Sequence, residues 1–334
     1  MKGVLLINLG TPDNCDPKSV YRYLKEFLND PRVIDLPAII RWPLINGLII
    51  PRRYKNSANA YQQIWTKEGS PLLINSLQLK EKLSAELGTD YQVELGMRYG
   101  NPSIPSALLK MKSCDKILIL PLFPQYSSAA TGSAIEETLE WFSTQWNIPT
   151  LEIKSDFYNH PAFIQAYADV ILQHTRDTKI DLFLFSYHGL PKRHVIKSGC
   201  HISCDHINAC PLVSESNRFC YRAQCYETSA LLAKALDLSD KQYHVSFQSR
   251  LGRTPWIKPY TDALLPELIK QGIKNIAIAC PSFVADCLET LEEINIRARK
   301  QWQTLGGEKF TFVPCLNTKF SWIKGLSQIV NHPN

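Results

Sequence analysis

The strongest constraint on this chain is a rhythm. Short β-rich apolar runs fall at 4–9, 91–97, 116–122 and 151–153, and again at 181–186, 243–248, 275–280 and 310–313. Helix-patterned stretches at 76–87, 133–145, 161–176, 228–236, 261–270 and 286–301 separate most of them. A strand followed by a helix and another strand needs a crossover, and crossovers build parallel sheets with helices on both faces. Four runs and then four more predict an α/β chain of two Rossmann-like halves, each a parallel sheet flanked by helices, with a central cleft. The halves are expected to divide somewhere in 150–180, giving 1–150, 151–310 and a final strand and tail at 311–334. Ligands in such sheets gather beyond the carboxyl ends of the strands, so chemistry is sought there. No GxGxxG follows a strand, and neither a GxxxxGK(S/T) loop nor a GxSxG elbow occurs. Nucleotide cofactors and the common hydrolase chemistry therefore lack support.

Composition narrows the class further. With 45% apolar residues in 334, disordered and coiled-coil classes are excluded. A net charge of +6 suits an acidic ligand or lipid surface and is too weak to argue for nucleic acid. The apolar run at 4–9 is shorter than a signal-peptide core and is closed by the turn Gly10-Thr11-Pro12-Asp13. This places the chain in the cytoplasm or a similarly reducing space. No uncharged apolar run reaches the ~18 residues of a spanning helix. The nearest is VIDLPAIIRWPLINGLIIP at 33–51, followed by Arg52, Arg53 and Lys55. It is either an irregular core segment or an apolar lip, about 33–55, that meets a flat greasy ligand or a bilayer surface.

Five constellations carry chemistry. In FSYHGLP at 185–191, a strand delivers His188 at its carboxyl end, where it can accept a proton near neutral pH or serve as a structural residue. PSFVADCLETLEE at 281–293 follows another strand. Asp286, Glu289 and Glu293 are spaced i, i+3, i+7 and predict one acidic helix face. That face is either solvated or a ladder that hydrates a divalent metal or relays protons. Arg98 and Tyr99 in MRYGNP end a third strand, where Arg98 either pairs with a core acid or meets a ligand. LPLFPQYSS with Thr131-Gly132-Ser133 either caps a helix or binds an anion at its N-terminus. Finally, Cys200, Cys204, Cys210, Cys220 and Cys225 lie within 26 residues, spaced C-x3-C-x5-C-x9-C-x4-C. In a reducing compartment such density favours metal ligation over disulfides. Without the C-x2-C pairs of ordinary zinc sites, the pattern suits a 2Fe–2S cluster, with zinc or free thiols as alternatives.

The chain resembles the ferrochelatases, which insert Fe2+ into protoporphyrin IX to make protohaem, the last step of haem biosynthesis. The resemblance runs through LLINLGTPD at 5–13, YLKEFLNDPRVIDLP at 23–37, GSPL at 69–72, MRYGNPS at 97–103 and LPLFPQYS at 120–127. It continues through SYHGLP at 186–191, FQSRLGRTPWIKPYTD at 247–262 and SFVADCLETLEEI at 282–294. It implies a lyase that takes Fe2+ as substrate. His188 matches the family's active-site histidine and Glu289 its essential glutamate, with Asp286 and Glu293 on the same ladder; His188 and Glu289 are then the groups that meet the metal. Arg98 and Tyr99 match a pocket-lining pair. Arg52, Arg53 and Ser70 fall where the family contacts propionates, and Tyr61, Trp256 and Phe283 match pocket or lip aromatics. Cys287 stands where many members have histidine, and Leu9 where some have methionine. The cysteine segment resembles an internal-cluster form, with Cys204, Cys210, Cys220 and Cys225 as ligands and Cys200 as a possible substitute. The resemblance also implies contact with the inner face of a membrane through the lip, with the preceding oxidase as a partner. Kept beside this reading are a coproporphyrin chelatase and a non-catalytic porphyrin or haem sensor.

Overall fold

Among residues 1–199, 210–250, 252 and 254–332, which the computed structural model describes, eight strands form two four-stranded parallel sheets. The first contains β1 (Lys2–Thr11), β2 (Tyr91–Gly100), β3 (Lys116–Pro121) and β4 (Thr150–Ile153) in the order β2-β1-β3-β4. The second contains β5 (Leu182–His188), β6 (Tyr243–Gln248), β7 (Asn275–Ala279) and β8 (Lys309–Phe312) in the order β6-β5-β7-β8. The two orders are the same, each with its first strand inside the sheet.

The central strands are continuous apolar runs because both faces are covered. Val4, Leu5, Leu6 and Ile7 are all wholly buried, as a strand between two helical layers requires. In the first sheet Leu5, Ile7, Ile117 and Ile119 pack with Ile104 and Phe142. In the second, Leu184, Ile276 and Ile278 pack with Leu265, Trp302 and Phe310. Each such side chain contributes roughly 1.5–3 kcal/mol by leaving water.

Glycine is required where β1 meets β2. Gly10 pairs with Tyr99 at φ 110°, and an added Cβ would sit 1.8 Å from the Tyr99 carbonyl oxygen. No other residue permits this approach, which sets the height at which Tyr99 and its neighbour Arg98 stand.

The chain divides into two compact units. One holds Met1–Phe123, Ser127–Asp156 and the described residues from Leu326 onward; the other holds Pro124–Tyr126 and Phe157–Gly325. The expected tail at 311–334 is thus split, its last helical turns joining the first unit, with Leu326 and Ile329 fully buried.

Three stretches differ from the sequence expectation. Strands β2 and β5 run further than their apolar cores, so Arg98, Tyr99 and His188 lie inside strands rather than after them. Beyond residue 37 the 33–55 stretch is helical rather than irregular: it forms the helix Ala38–Pro43, a π-helical turn Leu44–Ile49 and the start of the helix Ile50–Ile64. There Ile45 and Ile50 are buried while Ile39 (84%) and Trp42 (63%) stand exposed. The stretch expected as an α-helix over 286–301 is π-helical at Glu289–Ala298 and α-helical only at Arg299–Thr304. Hydrogen bonds of the i→i+5 kind widen the helix, so a face reckoned at 3.6 residues per turn no longer applies.

Candidate active site

In the second unit the functional side chains come from the carboxyl ends of β5, β6 and β7. Strand β5 buries Ser186 and Tyr187 and leaves His188 half-buried at its last position. The His188 amide donates to Ser282 Oγ at 3.1 Å, and its carbonyl accepts from the Tyr221 hydroxyl at 2.8 Å. Its ring Nδ1 lies 2.6 Å from the Gly189 carbonyl oxygen. A carbonyl only accepts, so Nδ1 carries a proton, which leaves Nε2 as the nitrogen whose lone pair can take another. The Phe283 ring packs edge-on against the imidazole with centroids 6.3 Å apart.

Strand β6 ends in Gln248, and it and the following Ser249 bind the acidic helix. Gln248 Nε2 donates to the Glu289 carbonyl at 2.9 Å, while Gln248's own carbonyl takes the Gly189 amide at 2.7 Å. Ser249 sits at φ 67°, a left-handed conformation that costs a non-glycine residue about 1–2 kcal/mol. In that conformation its amide donates to Glu293 Oε1 at 2.9 Å and its hydroxyl to Oε2. Burial raises the Glu293 carboxyl above its ordinary value, and the Ser249 hydroxyl, Arg297 and His188 oppose the rise. Glu293 is therefore a carboxyl with raised proton affinity within electrostatic reach of the histidine.

Asp286 is held elsewhere. Its carboxylate accepts Asn317 Nδ2 at 2.6 Å, the Thr290 hydroxyl at 3.0 Å and the Cys315 amide at 3.2 Å, and its amide donates to Asn317 Oδ1. Those bonds occupy its lone pairs and fasten the start of the π-helix. The expected three-carboxylate ladder is not formed, because Asp286 precedes the π-helix and faces Asn317. Glu289 is half-buried on the π-helix, and Cys287 is buried just before it.

In the first unit Arg98 and Tyr99 belong to one polar network around Asp30, the residue that ends the helix Pro17–Asn29. Asp30 Oδ2 accepts Arg98 Nη2 at 2.8 Å, the Tyr99 hydroxyl at 2.8 Å and the Ser133 hydroxyl at 2.5 Å; Oδ1 accepts the Arg32 amide at 2.6 Å. Arg98 also donates to Ser133 Oγ at 2.5 Å, pairs with Glu137 at 2.7 Å and lies 4.5 Å over the Tyr99 ring. Burial alone would push the Asp30 carboxyl up, but Ser133, the Arg32 amide, Tyr99 and Arg98 hold it below the usual carboxylate value. Burial and the Asp30 charge push the Tyr99 hydroxyl up. Burial also raises the Glu137 carboxyl, against the pull of Arg98. Arg98 retains 17% exposure, whereas Tyr99 is fully enclosed.

Other expected contacts separate. Arg52 and Arg53 are exposed on the helix Ile50–Ile64. Ser70 is buried and accepts the Thr11 hydroxyl at 2.9 Å, so it does not join them at the surface. Tyr61 is buried against Tyr23 and Trp65. In the second unit Trp256 is buried, and its backbone bridges to Pro191 in the loop after His188. The residues that sequence reasoning missed are Asp30, Ser249, Ser282 and Tyr221, while Ser133, expected as a cap or anion contact, joins the Asp30 network. All but Tyr221 lie inside the segments at 23–37, 247–262 and 282–294 that carry the resemblance, the one signal that could have raised them.

Of the clustered cysteines, Cys200 and Cys204 lie outside the described residues. Cys220 and Cys225 are buried and Cys210 is half-buried. Arg222, 1% exposed, donates from Nη1 to Cys210 Sγ at 2.7 Å. Burial pushes the Cys225 thiol well up; Cys220 and Cys210 lie within electrostatic reach of it. Among the described residues no group of three or more His, Cys, Asp or Glu side chains is gathered to hold a metal ion. No helix among them is long and apolar enough to cross a membrane.

A family model described as ferrochelatase matches residues 1–333. A ferrochelatase of Legionella pneumophila (strain Lens) is 56% identical over 330 residues, covering 99% of this chain and 98% of the relative. One of Coxiella burnetii (strain RSA 493 / Nine Mile phase I) is 50% identical, covering 98% and 92%. Among solved structures, SirB from Bacillus subtilis with Fe3+ superposes with a TM-score of 0.55 at 11% identity, covering 99% of this chain and 94% of that one. At that identity the likeness concerns the fold alone.

Proposed function

The chain belongs to the ferrochelatase family, and from that premise we propose how its residues insert Fe2+ into protoporphyrin IX to form protohaem. The reaction is a chelation: two pyrrole N–H protons leave the macrocycle and one Fe2+ enters, so no electron is transferred. The assignment rests on His188, whose Nδ1 is committed to the Gly189 carbonyl and whose Nε2 lone pair remains available. His188 accepts a pyrrole proton at Nε2. Glu293, with its raised proton affinity, receives protons passed outward. Glu289 meets the incoming hydrated iron. Binding energy from the porphyrin periphery bends the ring so that nitrogen lone pairs point out of its plane. Asp286 supports the π-helix rather than relaying protons.

In the first unit, Arg98 presents the accessible part of its network to substrate while Tyr99 holds it in place. Arg52 and Arg53 take propionates, with the buried Ser70 and Tyr61 supporting this unit from beneath its surface; in the second unit Phe283 shapes the surface beside His188 and the buried Trp256 supports the loop after it. The exposed Ile39, Ile40 and Trp42 support a greasy mouth suited to a two-propionate porphyrin, and contact with an anionic lipid surface, where the preceding oxidase would hand over its product.

The cysteine segment is assigned a 2Fe–2S cluster on Cys204, Cys210, Cys220 and Cys225, with Cys200 as a substitute and zinc as the other metal the thiols would hold. Support comes from the density of thiols and from the buried Arg222 guanidinium, which balances thiolate charge at Cys210. Such a cluster supplies cross-linking or redox sensitivity, since chelation needs no redox step. Iron and sulfide in equal amounts, with visible charge-transfer absorbance, support it; colourless zinc protein removes it.

Zinc insertion read by fluorescence, with protoporphyrin and with coproporphyrin, tests the whole reading. Protoporphyrin is expected to be the better substrate. His188→Ala is expected to bind porphyrin and lose insertion by roughly 10^2–10^4-fold. Substantial turnover in that variant removes His188 from its role, and binding without insertion in the wild type leaves a sensor.

A further inference from the structure

The backbone of His188 is held by a side chain on each side. Its amide donates to Ser282 Oγ at 3.1 Å. The Tyr221 hydroxyl donates to the His188 carbonyl at 2.8 Å. Both sides of one residue are thus fixed by a serine from the segment after β7 and a tyrosine from the helix Tyr221–Ala235. The residue before His188 is tied to the same helix, since the Tyr187 hydroxyl and Ser229 Oγ are 2.7 Å apart.

The helix that supplies Tyr221 is also the one that carries the cysteines. Cys220 is its N-cap and Cys225 lies in its first turns. Arg222, the residue after Tyr221, grips Cys210 Sγ at 2.7 Å. Tyr221 is 6% exposed, so it has no solvent to exchange partners with.

We propose that Tyr221 is a positioning residue for His188, and that through it the cysteine segment sets how firmly the proton acceptor is held. This rests on the reading of His188 as proton acceptor. A rotation of the first turn of the helix moves the hydroxyl that holds the His188 carbonyl, and the ring follows its backbone. Tyr221 and Ser282 act on the backbone of His188 rather than on macrocycle or metal, so losing either bond slows the proton step without weakening porphyrin binding.

The experiment is a double-mutant cycle on steady-state zinc insertion into protoporphyrin, using Tyr221→Phe, Cys210→Ser and both together. Tyr221→Phe is expected to lower kcat about tenfold, the size of one lost hydrogen bond, with KM for porphyrin unchanged within about twofold. Cys210→Ser is expected to lower kcat severalfold in the wild-type background and to have almost no further effect beside Tyr221→Phe. An unchanged kcat, or a loss carried by KM, overturns the positioning role; additive losses overturn the link to the cysteines. Ser282→Ala frees the other side of the His188 backbone from outside the helix and must reproduce the kcat-only loss, which decides the matter if Tyr221→Phe does not fold. His188→Ala separates the two readings. If it is inactive while Tyr221→Phe is normal, the positioning role fails alone; if it is active, the proton-acceptor reading fails first.

Discussion

Replacing Asp30 by asparagine would remove one charge from the point where the first unit concentrates its polar side chains. The carboxylate takes four hydrogen bonds, three of them at Oδ2 from Arg98, Tyr99 and Ser133. Its side chain is 1% exposed. An asparagine there presents either an amide nitrogen to donors or one carbonyl oxygen to all of them. Breaking a buried pair from one side destabilises by about 3–5 kcal/mol. Arg98 keeps Glu137 at 2.7 Å and some exposure, which favours the lower end, about 3 kcal/mol. For a unit of this size that lowers the unfolding temperature by about 6–12 °C. The pH dependence has a fixed sign. Asp30 is held below its ordinary value in the folded state, so its contribution is complete above the ordinary carboxylate value and is lost as pH falls through the depressed one. Thermal melts of wild type and Asp30→Asn should differ by a constant gap at neutral pH, and the gap should close in acid. A gap below about 2 °C at pH 7, or one that widens in acid, would refute the reasoning.

Three further outcomes are expected. Glu293→Gln should slow zinc insertion yet leave the unfolding temperature at pH 8 equal or higher. The wild-type carboxyl has a raised folded value, so its protonated form favours folding and that contribution fades as pH rises through that value; a marked loss of stability would contradict this. Gly10→Ala should abolish soluble expression or lower stability severely, because its Cβ meets the Tyr99 carbonyl at 1.8 Å; a normal melt would show that β1 and β2 can separate there. Trp42→Ser with Ile39→Ser should weaken sedimentation with anionic vesicles, and unchanged sedimentation would exclude the lip as a lipid contact.

The framework was legible because buried parallel strands are written as local apolar runs. Both sheets, their strands and the strand-end location of His188 follow from that pattern. Strand ends were less legible: Arg98, Tyr99 and His188 continue their strands through polar residues that only the neighbouring strand's hydrogen bonds keep extended. The lip was ambiguous because Pro37, Pro43 and Gly47 look like breakers, yet Pro43 and Gly47 lie inside helical turns there. Spacing misplaced Asp286, since a helical period was applied to a residue that stands before the helix begins at Glu289. The partners that tune the site were out of reach of any local pattern. Asp30 meets Arg98 across 68 residues, and Ser249 meets Glu293 across 44.

The split membership of the first unit bears on how the protein is born. Strand β1 pairs with β2 from Lys2↔Tyr91, so its sheet cannot start until the ribosome has released about a hundred residues. Its last buried side chains, Leu326 and Ile329, then arrive only after the whole second unit has been made. The unit begun first is thus completed last. Until then the site that Leu326 and Ile329 will fill is exposed apolar surface on a nascent chain, where a chaperone would find it.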